Sequence, residues 1–268
     1  MNLFLNSIAN KIKSIVYSDS PGKKRQINRW KNITQPNPQN LSCVICGNND
    51  KTSNYKTFEA DDIFNAGKLI RYECPSCKTI FGDLRFLQMP ISEINKDYED
   101  LYSYYNEGDT TNYILTVLED LDCCKDKSLK YLDYACGRWN KVIPELRNRD
   151  YDIIGYDKYV IGGGYTTNDL GDRKFDVIYN CNFIEHLINP IEDIQEITKH
   201  LKPGGYLIFI TSCFEYCIDF THYHTFYFND TSLAHIGNKL NLTMTFSKKF
   251  TFADGQFTIA KVFQLNEN

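Results

Sequence analysis

Residues 128–159 read SLKYLDYACGRWNKVIPELRNRDYDIIGYDKY, and this stretch predicts the fold. A short apolar run ends in Asp133, small residues follow at 135–137, and a segment of helical length leads to a second apolar run that ends in Asp157. This order indicates a strand, a tight turn, a helix and a second strand. The first turn of such a unit can bring backbone N–H groups close to a ligand. An acid about 20 residues further on can accept hydrogen bonds from ribose hydroxyls.

Two kinds of ligand fit this unit, a dinucleotide or S-adenosylmethionine (SAM). The dinucleotide fingerprint needs several glycines around the pyrophosphate, but this loop contains only Gly137, followed by the bulky residues Arg138, Trp139 and Asn140. SAM carries no phosphate and requires less of the loop, so the sequence favours it. A strand–helix–strand unit without any ligand is the alternative.

Composition limits the classes of protein to consider. A chain of 268 residues can form one large domain and a small one. Its net charge of -4 gives no electrostatic reason to bind nucleic acid. No apolar run approaches the ~20 residues that span a bilayer, and no secretory signal is visible, so we expect a cytoplasmic protein without a transmembrane segment. Its ten cysteines then indicate thiols that bind metal or pack as small apolar groups.

Two C-x2-C pairs predict a metal site. Cys43 and Cys46 form one pair, and Cys74 and Cys77 form the other. Two such knuckles can supply four thiolates to one tetrahedral ion, which predicts structural Zn²⁺ in a module that resembles a zinc ribbon. Because the protein fills every position on the ion, we assign it no catalytic role. A redox pair would need a thioredoxin-like context, which is not visible here.

The sequence predicts three segments. Residues 1–40 form an N-terminal helix and a linker, residues 41–90 the zinc-ribbon-like module, and residues 91–268 the large domain. Apolar residues at helical spacing predict a helix over Met1–Tyr17, which docks on its own chain or on a second copy in a homodimer. A membrane-surface helix is the alternative. The Pro- and Gly-containing stretch at 18–40 is typical of an irregular linker.

Alternating strands and helices continue after the opening unit. The buried strand Phe175–Tyr179 leads into Asn180 and Cys181, and Asn189 is expected to cap the helix that follows. Residues 242–252 and 256–265 alternate as two strands joined by a hairpin. We therefore predict an α/β fold with a Rossmann-like, mostly parallel sheet and an antiparallel C-terminal strand.

The chain resembles class I SAM-dependent methyltransferases over about residues 98–264. The resemblance is carried by four segments in order: LDYACG at 132–137, GYD at 155–157, FDVI through EHL to Asn-Pro at 175–190, and LKPGG at 201–205. It implies a seven-stranded sheet and SAM as the cofactor. It also implies these cofactor-binding residues: Asp133, Ala135, Gly137, Asp157, Asn180 and Cys181.

The resemblance also implies roles for these residues. The loop would line the methionine end of SAM, Asp157 would bind the ribose, and Asn180 with Cys181 would face the sulfonium. Ala135 replaces a glycine of the family's loop, and we expect it to be tolerated there if its φ is negative.

The expected reaction is methyl transfer to a small polar acceptor, aided by a general base. Histidine suits that role, and His222 or His224 is preferred, with His186 third; an ordinary hydrogen-bonded histidine is the alternative for each. The zinc module and the C-terminal HxHxF segment are similar to those of sugar-modifying relatives. They indicate a sugar, nucleotide-linked sugar or related precursor of a surface polysaccharide, with O-methylation favoured. An rRNA or tRNA methyltransferase and a catalytically degenerate SAM-binding interaction module are the alternative functions.

Overall fold

The computed structural model describes residues 20–106, 108–138, 141–159, 164–216 and 221–267. The helix predicted over Met1–Tyr17 lies outside the described residues. The chain forms two compact units. The first unit comprises Met1–Gly108, Glu215–Ser232 and Phe252–Gln256, and the second comprises Asp109–Phe214, Leu233–Thr251 and Phe257–Asn268.

The strands are, in chain order, β1 (Asn40–Ser42), β2 (Asn49–Lys51), β3 (Lys56–Asp61), β4 (Lys68–Glu73), β5 (Ile80–Gly82), β6 (Lys130–Tyr134), β7 (Asp152–Tyr156), β8 (Thr166–Thr167), β9 (Phe175–Cys181), β10 (Leu201–Thr211), β11 (Phe226–Tyr227), β12 (Leu242–Thr251) and β13 (Phe257–Leu265). The α-helices are α1 (Pro21–Lys31), α2 (Leu84–Leu87), α3 (Ile91–Tyr102), α4 (Thr111–Asp120), α5 (Val142–Asn148), α6 (Pro190–Thr198) and α7 (Asp230–Leu240). No helix among the described residues is both long enough and apolar enough to cross a bilayer.

A seven-stranded sheet forms the second unit, in the order β12-β13-β10-β9-β6-β7-β8. Strand β6 runs parallel to β7 and β9, and β9 runs parallel to β10. Only the pairings of β13 with β10 and β12 are antiparallel among those described. Its central strands are buried runs such as Val177–Tyr179, as expected for a parallel sheet covered on both faces. The predicted fold class is confirmed.

Helix α6 begins at Pro190, as the sequence predicts, but the cap predicted for Asn189 is wrong. The Asn189 side chain makes no capping hydrogen bond. Instead, its backbone N–H donates to the Asp193 carboxylate at 3.1 Å. A carboxylate in the first turn therefore satisfies the N-terminus of the helix. Burial raises the pKa of Asp193, although this hydrogen bond opposes the rise.

The first unit contains an antiparallel sheet in the order β11-β5-β4-β3 and the small hairpin β1–β2. The linker predicted over residues 18–40 is wrong in part, because it contains helix α1. Ser20 caps this helix by accepting a hydrogen bond from the N–H of Lys23 at 3.1 Å, and Pro21 occupies the first turn. Hydrophobic periodicity predicts a helix only where one face is apolar. The buried face of α1 combines Trp30 with the polar Gln26, so the periodicity did not predict this helix.

A buried charge cluster lies in this first unit. The side chain of His222 is fully buried between two carboxylates. Its Nδ1 lies 3.1 Å from Asp62 Oδ2, and its Nε2 lies 3.0 Å from Asp97 Oδ2. The backbone N–H of His222 donates to Asp62 as well, at 2.9 Å. Both ring nitrogens therefore have an acceptor, which suits a protonated imidazole.

Asp97 accepts further hydrogen bonds from helix α1 and from Tyr223. Its carboxylate accepts hydrogen bonds from Arg29 at 2.7 Å, from the indole of Trp30 at 3.1 Å and from the hydroxyl of Tyr223 at 2.8 Å. Gln26 donates to the same carboxylate at 3.0 Å. The cluster therefore joins α1, α3 and the segment at 221–223, which are far apart in sequence.

The charges in the cluster shift both pKa values. Burial by itself would lower the pKa of His222, but the charges of Asp62 and Asp97 outweigh it and raise the pKa to about 9. Burial would raise the pKa of Asp97, but hydrogen bonds from His222, Tyr223 and Arg29 lower it to about 2. Near neutral pH the cluster therefore holds a histidine cation between aspartates.

We expect the first unit to lose stability as the pH rises from about 6.5 to 9. The folded-state pKa of His222 lies above its ordinary value of 6.5, so its contribution is complete below that value and is lost as the pH rises through about 9. The loss is on the order of 3 kcal/mol. Denaturant unfolding can follow Trp30, whose ring lies 4.3 Å from that of His222, in a Trp139→Phe background that leaves one tryptophan.

His222→Gln is the control for this prediction. It removes the titrating group, so the free energy of unfolding of this variant should be lower than that of wild type at pH 6.5 and nearly independent of pH between 6.5 and 9. A wild-type protein whose stability rises over that range would contradict the assignment of a histidine cation. Asp97 adds a second limit, because its contribution is complete above about pH 3.8 and is lost as the pH falls towards 2.

Candidate functional site

The carboxyl ends of β6, β7 and β9 bring the predicted SAM-site residues together at one edge of the second unit's sheet. Asp133 is only 3% exposed and lies opposite Gly155 of β7 and Tyr179 of β9. Burial, and then the charge of Asp133, raise the pKa of Tyr179 well above its ordinary value. Tyr179 therefore remains a neutral phenol beside the carboxylate of Asp133.

The loop after β6 has two residues in the left-handed region. The φ of Ala135 is 61° and that of Gly137 is 69°. The condition under which Ala135 was expected to be tolerated, a negative φ, is therefore not met, because this tight turn needs a left-handed residue where the family's loop has glycine. Such a conformation costs an alanine on the order of 1 kcal/mol. A Cβ added at Gly137 would meet no atom of the described residues within 4 Å, so these residues leave the space beside it open.

Asp157 holds this loop against the end of β7. Its carboxylate accepts hydrogen bonds from the N–H of Gly137 at 3.0 Å and from the N–H of Tyr159 at 2.8 Å. The N–H of Cys136 donates to the carbonyl of Tyr156 at 3.0 Å. The two strand ends predicted to form one site are therefore joined directly by hydrogen bonds.

Gly155 makes this close approach possible. A Cβ at this position would lie 2.8 Å from Cys136 Sγ and 2.4 Å from Ile143 Cδ1. The strand that carries Asp157 must therefore lack a side chain where the loop crosses it.

The end of β9 carries Asn180 and Cys181. Asn180 is fully buried, and neither its amide nitrogen nor its amide oxygen has a hydrogen-bond partner among the described residues. Cys181 is half-buried. Sequence reasoning missed Thr211, at the end of the adjacent β10, whose hydroxyl donates to the buried Glu185 at 2.6 Å. The only sequence pattern that could have indicated this pair is the EHL segment, which contains Glu185.

The candidate base residues divide between the two units. His186 lies in the second unit, in the short 3₁₀ turn Ile184–His186, and is half-buried. His222 and His224 lie in the first unit. His224 is half-buried, and its carbonyl accepts a hydrogen bond from Arg71 at 3.3 Å. The protonated ring of His222 has no lone pair with which to accept a proton, so this geometry argues against His222 as the base.

The cysteine pairs meet in the first unit. The sulfur atoms of Cys43, Cys46, Cys74 and Cys77 all lie within 4.8 Å of one another. Cys43 Sγ lies 3.6 Å from Cys77 Sγ, and Cys46 Sγ lies 3.6 Å from Cys74 Sγ. The N–H of Gly47 donates to the Cys43 carbonyl at 2.9 Å, and the N–H of Lys78 to the Cys74 carbonyl at 3.0 Å, so both pairs form the same tight turn.

These distances fit one tetrahedral ion. Four sulfur atoms around Zn²⁺, each at about 2.3 Å, lie roughly 3.8 Å apart. The Cys43–Cys77 hydrogen bond raises the pKa of Cys43 and lowers the pKa of Cys77 to about 4, so one thiolate is already favoured within this pair. A set of four soft sulfur donors suits zinc better than magnesium or calcium.

The family model described as a methyltransferase domain matches residues 113–245. No protein among the curated ones matches the chain. Among solved structures, 1,6-didemethyltoxoflavin-N1-methyltransferase from Burkholderia thailandensis is 13% identical, with a TM-score of 0.48, over 74% of this chain and 96% of that one. A SAM-dependent methyltransferase from Clostridium acetobutylicum is 14% identical, with a TM-score of 0.43, over 66% of this chain and 99% of that one.

Magnesium protoporphyrin IX methyltransferase from Synechocystis is 15% identical, with a TM-score of 0.42, over 66% of this chain and 97% of that one. The strand order and the family match, rather than these distant likenesses, carry the assignment. The matched residues include β6, β7, β9 and the loop held by Asp157. The match over residues 113–245 therefore identifies a methyltransferase domain in this chain, which is a SAM-dependent methyltransferase.

Proposed function

We propose that this enzyme methylates a hydroxyl group of a small polar acceptor, and that the acceptor is a sugar, a nucleotide-linked sugar or a related precursor of a surface polysaccharide. The observation that carries the methyl-transfer part of the proposal is the loop at 135–137, which Asp157 holds through the N–H of Gly137 and beside which the described residues leave open space. The net charge of -4 supports a small acceptor over RNA. We infer a cytoplasmic location, because thiols stay reduced there.

When bound, SAM supplies an electrophilic methyl group on a positively charged sulfur. Asp157 would bind the ribose hydroxyls, and the loop with Asp133 would hold the methionine end. Cys181, on the same face of β9 as Tyr179, would line the site beside them. Much of the rate comes from holding the acceptor oxygen in line with the methyl group.

The acceptor hydroxyl must also lose its proton. Of the candidate histidines we assign this role to His186, because it lies in the same compact unit as the SAM-site residues. A histidine with a pKa near the working pH can accept the proton as the new bond forms. His224 is the second candidate, and His222 is reserved for the buried cluster of the first unit.

We further propose that Cys43, Cys46, Cys74 and Cys77 bind one structural Zn²⁺. Four thiolates leave no open position for substrate, so the ion would link β1–β2 to the turn between β4 and β5. A link of this kind contributes to the stability of the first unit.

Asp157→Ala should weaken binding of S-adenosylhomocysteine by about 10- to 100-fold, because the carboxylate no longer accepts from the ribose hydroxyls or holds the N–H of Gly137. Isothermal titration calorimetry measures this directly. Asp152→Ala is the matched control, since Asp152 is an exposed aspartate at the opposite end of the same strand. A wild-type protein that binds neither SAM nor its product would refute the proposal and support a non-enzymatic role.

Purified protein should contain one zinc ion per chain, measured by inductively coupled plasma mass spectrometry. Cys46→Ser should release the ion and lower the melting temperature, because a hydroxyl is a poor ligand for zinc beside three thiolates. Cys123→Ser is the control, because Cys123 is half-buried and lies outside the cluster. Full zinc content in Cys46→Ser would show that the four sulfurs are not the site.

His186→Gln should lower turnover by about 100-fold or more and leave the affinity for S-adenosylhomocysteine unchanged. The assay supplies radiolabelled SAM with UDP-glucose, dTDP-glucose or GDP-mannose and counts the methylated product. His224→Gln is tested beside it. Unchanged turnover in both variants would remove histidine from the proton-transfer step.

A further inference from the structure

Asn180 and Cys181 lie on opposite faces of the sheet. Successive residues of a strand alternate between its two faces. In the register of β9, Asn180 lies opposite Phe209 and Cys181 lies opposite Ile210. Cys181 therefore shares its face with Tyr179 and with Asp133, which lies opposite Tyr179 in β6. Asn180 belongs to the other face.

The face of Asn180 carries a second buried polar group at the same edge. Thr211 lies two residues beyond Phe209 in β10, so it shares the face of Asn180. Thr211 is fully buried, and its hydroxyl donates to the carboxylate of Glu185, which is 1% exposed. Glu185 directly precedes His186, to which we assign the base role.

The Asn180 amide is buried without a partner among the described residues, and this is unusual for a side chain with both donors and an acceptor. The other fully buried amide discussed above, that of Gln26, bonds to Asp97, Tyr223 and Tyr104. A buried polar group with no partner destabilises the fold. An unpartnered buried group in a native fold needs an explanation, and a ligand that supplies the missing partner is one.

We propose that Asn180, Thr211 and Glu185 form the acceptor site, and that they bind neighbouring hydroxyl groups of the acceptor. This inference rests on the proposed function and moves Asn180 from the donor to the acceptor side. The amide can donate to one hydroxyl oxygen and accept from another hydroxyl, while the carboxylate accepts only. A molecule with adjacent hydroxyls supplies both kinds of group, and a site built this way discriminates strongly against analogues that lack a hydroxyl.

In this arrangement the two faces of the sheet bind different substrates. Asp133 and Cys181 serve the donor, and Asn180 with the Thr211–Glu185 pair serves the acceptor. The two substrates meet at the shared carboxyl edge of β9.

Asn180→Leu tests the inference, because leucine has the same number and branching of side-chain heavy atoms as asparagine and no polar atoms. We expect the variant to melt about 2–4 °C higher than wild type, since it removes an unpartnered amide. Its affinity for S-adenosylhomocysteine should stay within 2-fold of wild type, while methyl transfer to UDP-glucose, dTDP-glucose or GDP-mannose falls at least 10-fold. Gln26→Leu is the matched control, and should melt lower because that amide is fully paired.

Several results would overturn the inference. A lower melting temperature for Asn180→Leu and also for the smaller Asn180→Val would mean that the amide has a structural partner such as a fixed water, because overpacking affects chiefly the leucine variant. A 10-fold loss of affinity for S-adenosylhomocysteine would return Asn180 to the donor side, and unchanged transfer would remove it from the acceptor site. If wild type methylates none of the three probes, the sugar acceptor of the proposed function fails. The melting and affinity measurements then still decide where Asn180 belongs.

Discussion

The hydrogen bond between the N–H of Gly137 and the carboxylate of Asp157 joins the ends of two neighbouring parallel strands. It forms only because Gly155 lets the loop cross β7 without a side chain in the way. The loop itself turns through two left-handed residues, one of them an alanine. The SAM-binding roles proposed for Gly137 and Asp157 depend on that short crossing, since it sets the space beside Gly137 and the position of the carboxylate.

Much of this part of the fold could be predicted from the sequence. Apolar runs that end in acids, separated by a small-residue turn and a helix-length segment, were sufficient to predict β6, α5 and β7. The cysteine site could be predicted in the same way, because the C-x2-C spacing of each pair indicates the same tight turn. In both cases the information is local, and the partner lies within about 35 residues of chain.

Other features depend on contacts between distant residues and could not be predicted. Helix α1 was missed because half of its buried face is polar, and those polar groups find partners in residues far along the chain, in and just after α3 and in the segment at 221–223. His222 was expected to act as a base because of its residue type. Only the positions of Asp62 and Asp97 show that it is a buried cation. The left-handed φ of Ala135 was hidden for the same reason, since a turn's geometry is imposed by the strands it joins.

The cluster around His222 also bears on the order in which the protein is made. Asp62 and Asp97 leave the ribosome well before the histidine that lies between them, which belongs to a segment more than 120 residues further on. Until that segment has been made, Asp62 and Asp97 lack the His222 cation that lies between them in the folded protein. The first unit therefore cannot complete its core during early synthesis. Its N-terminal residues are made first, but their folding is completed only after the segment at 221–223 has been made.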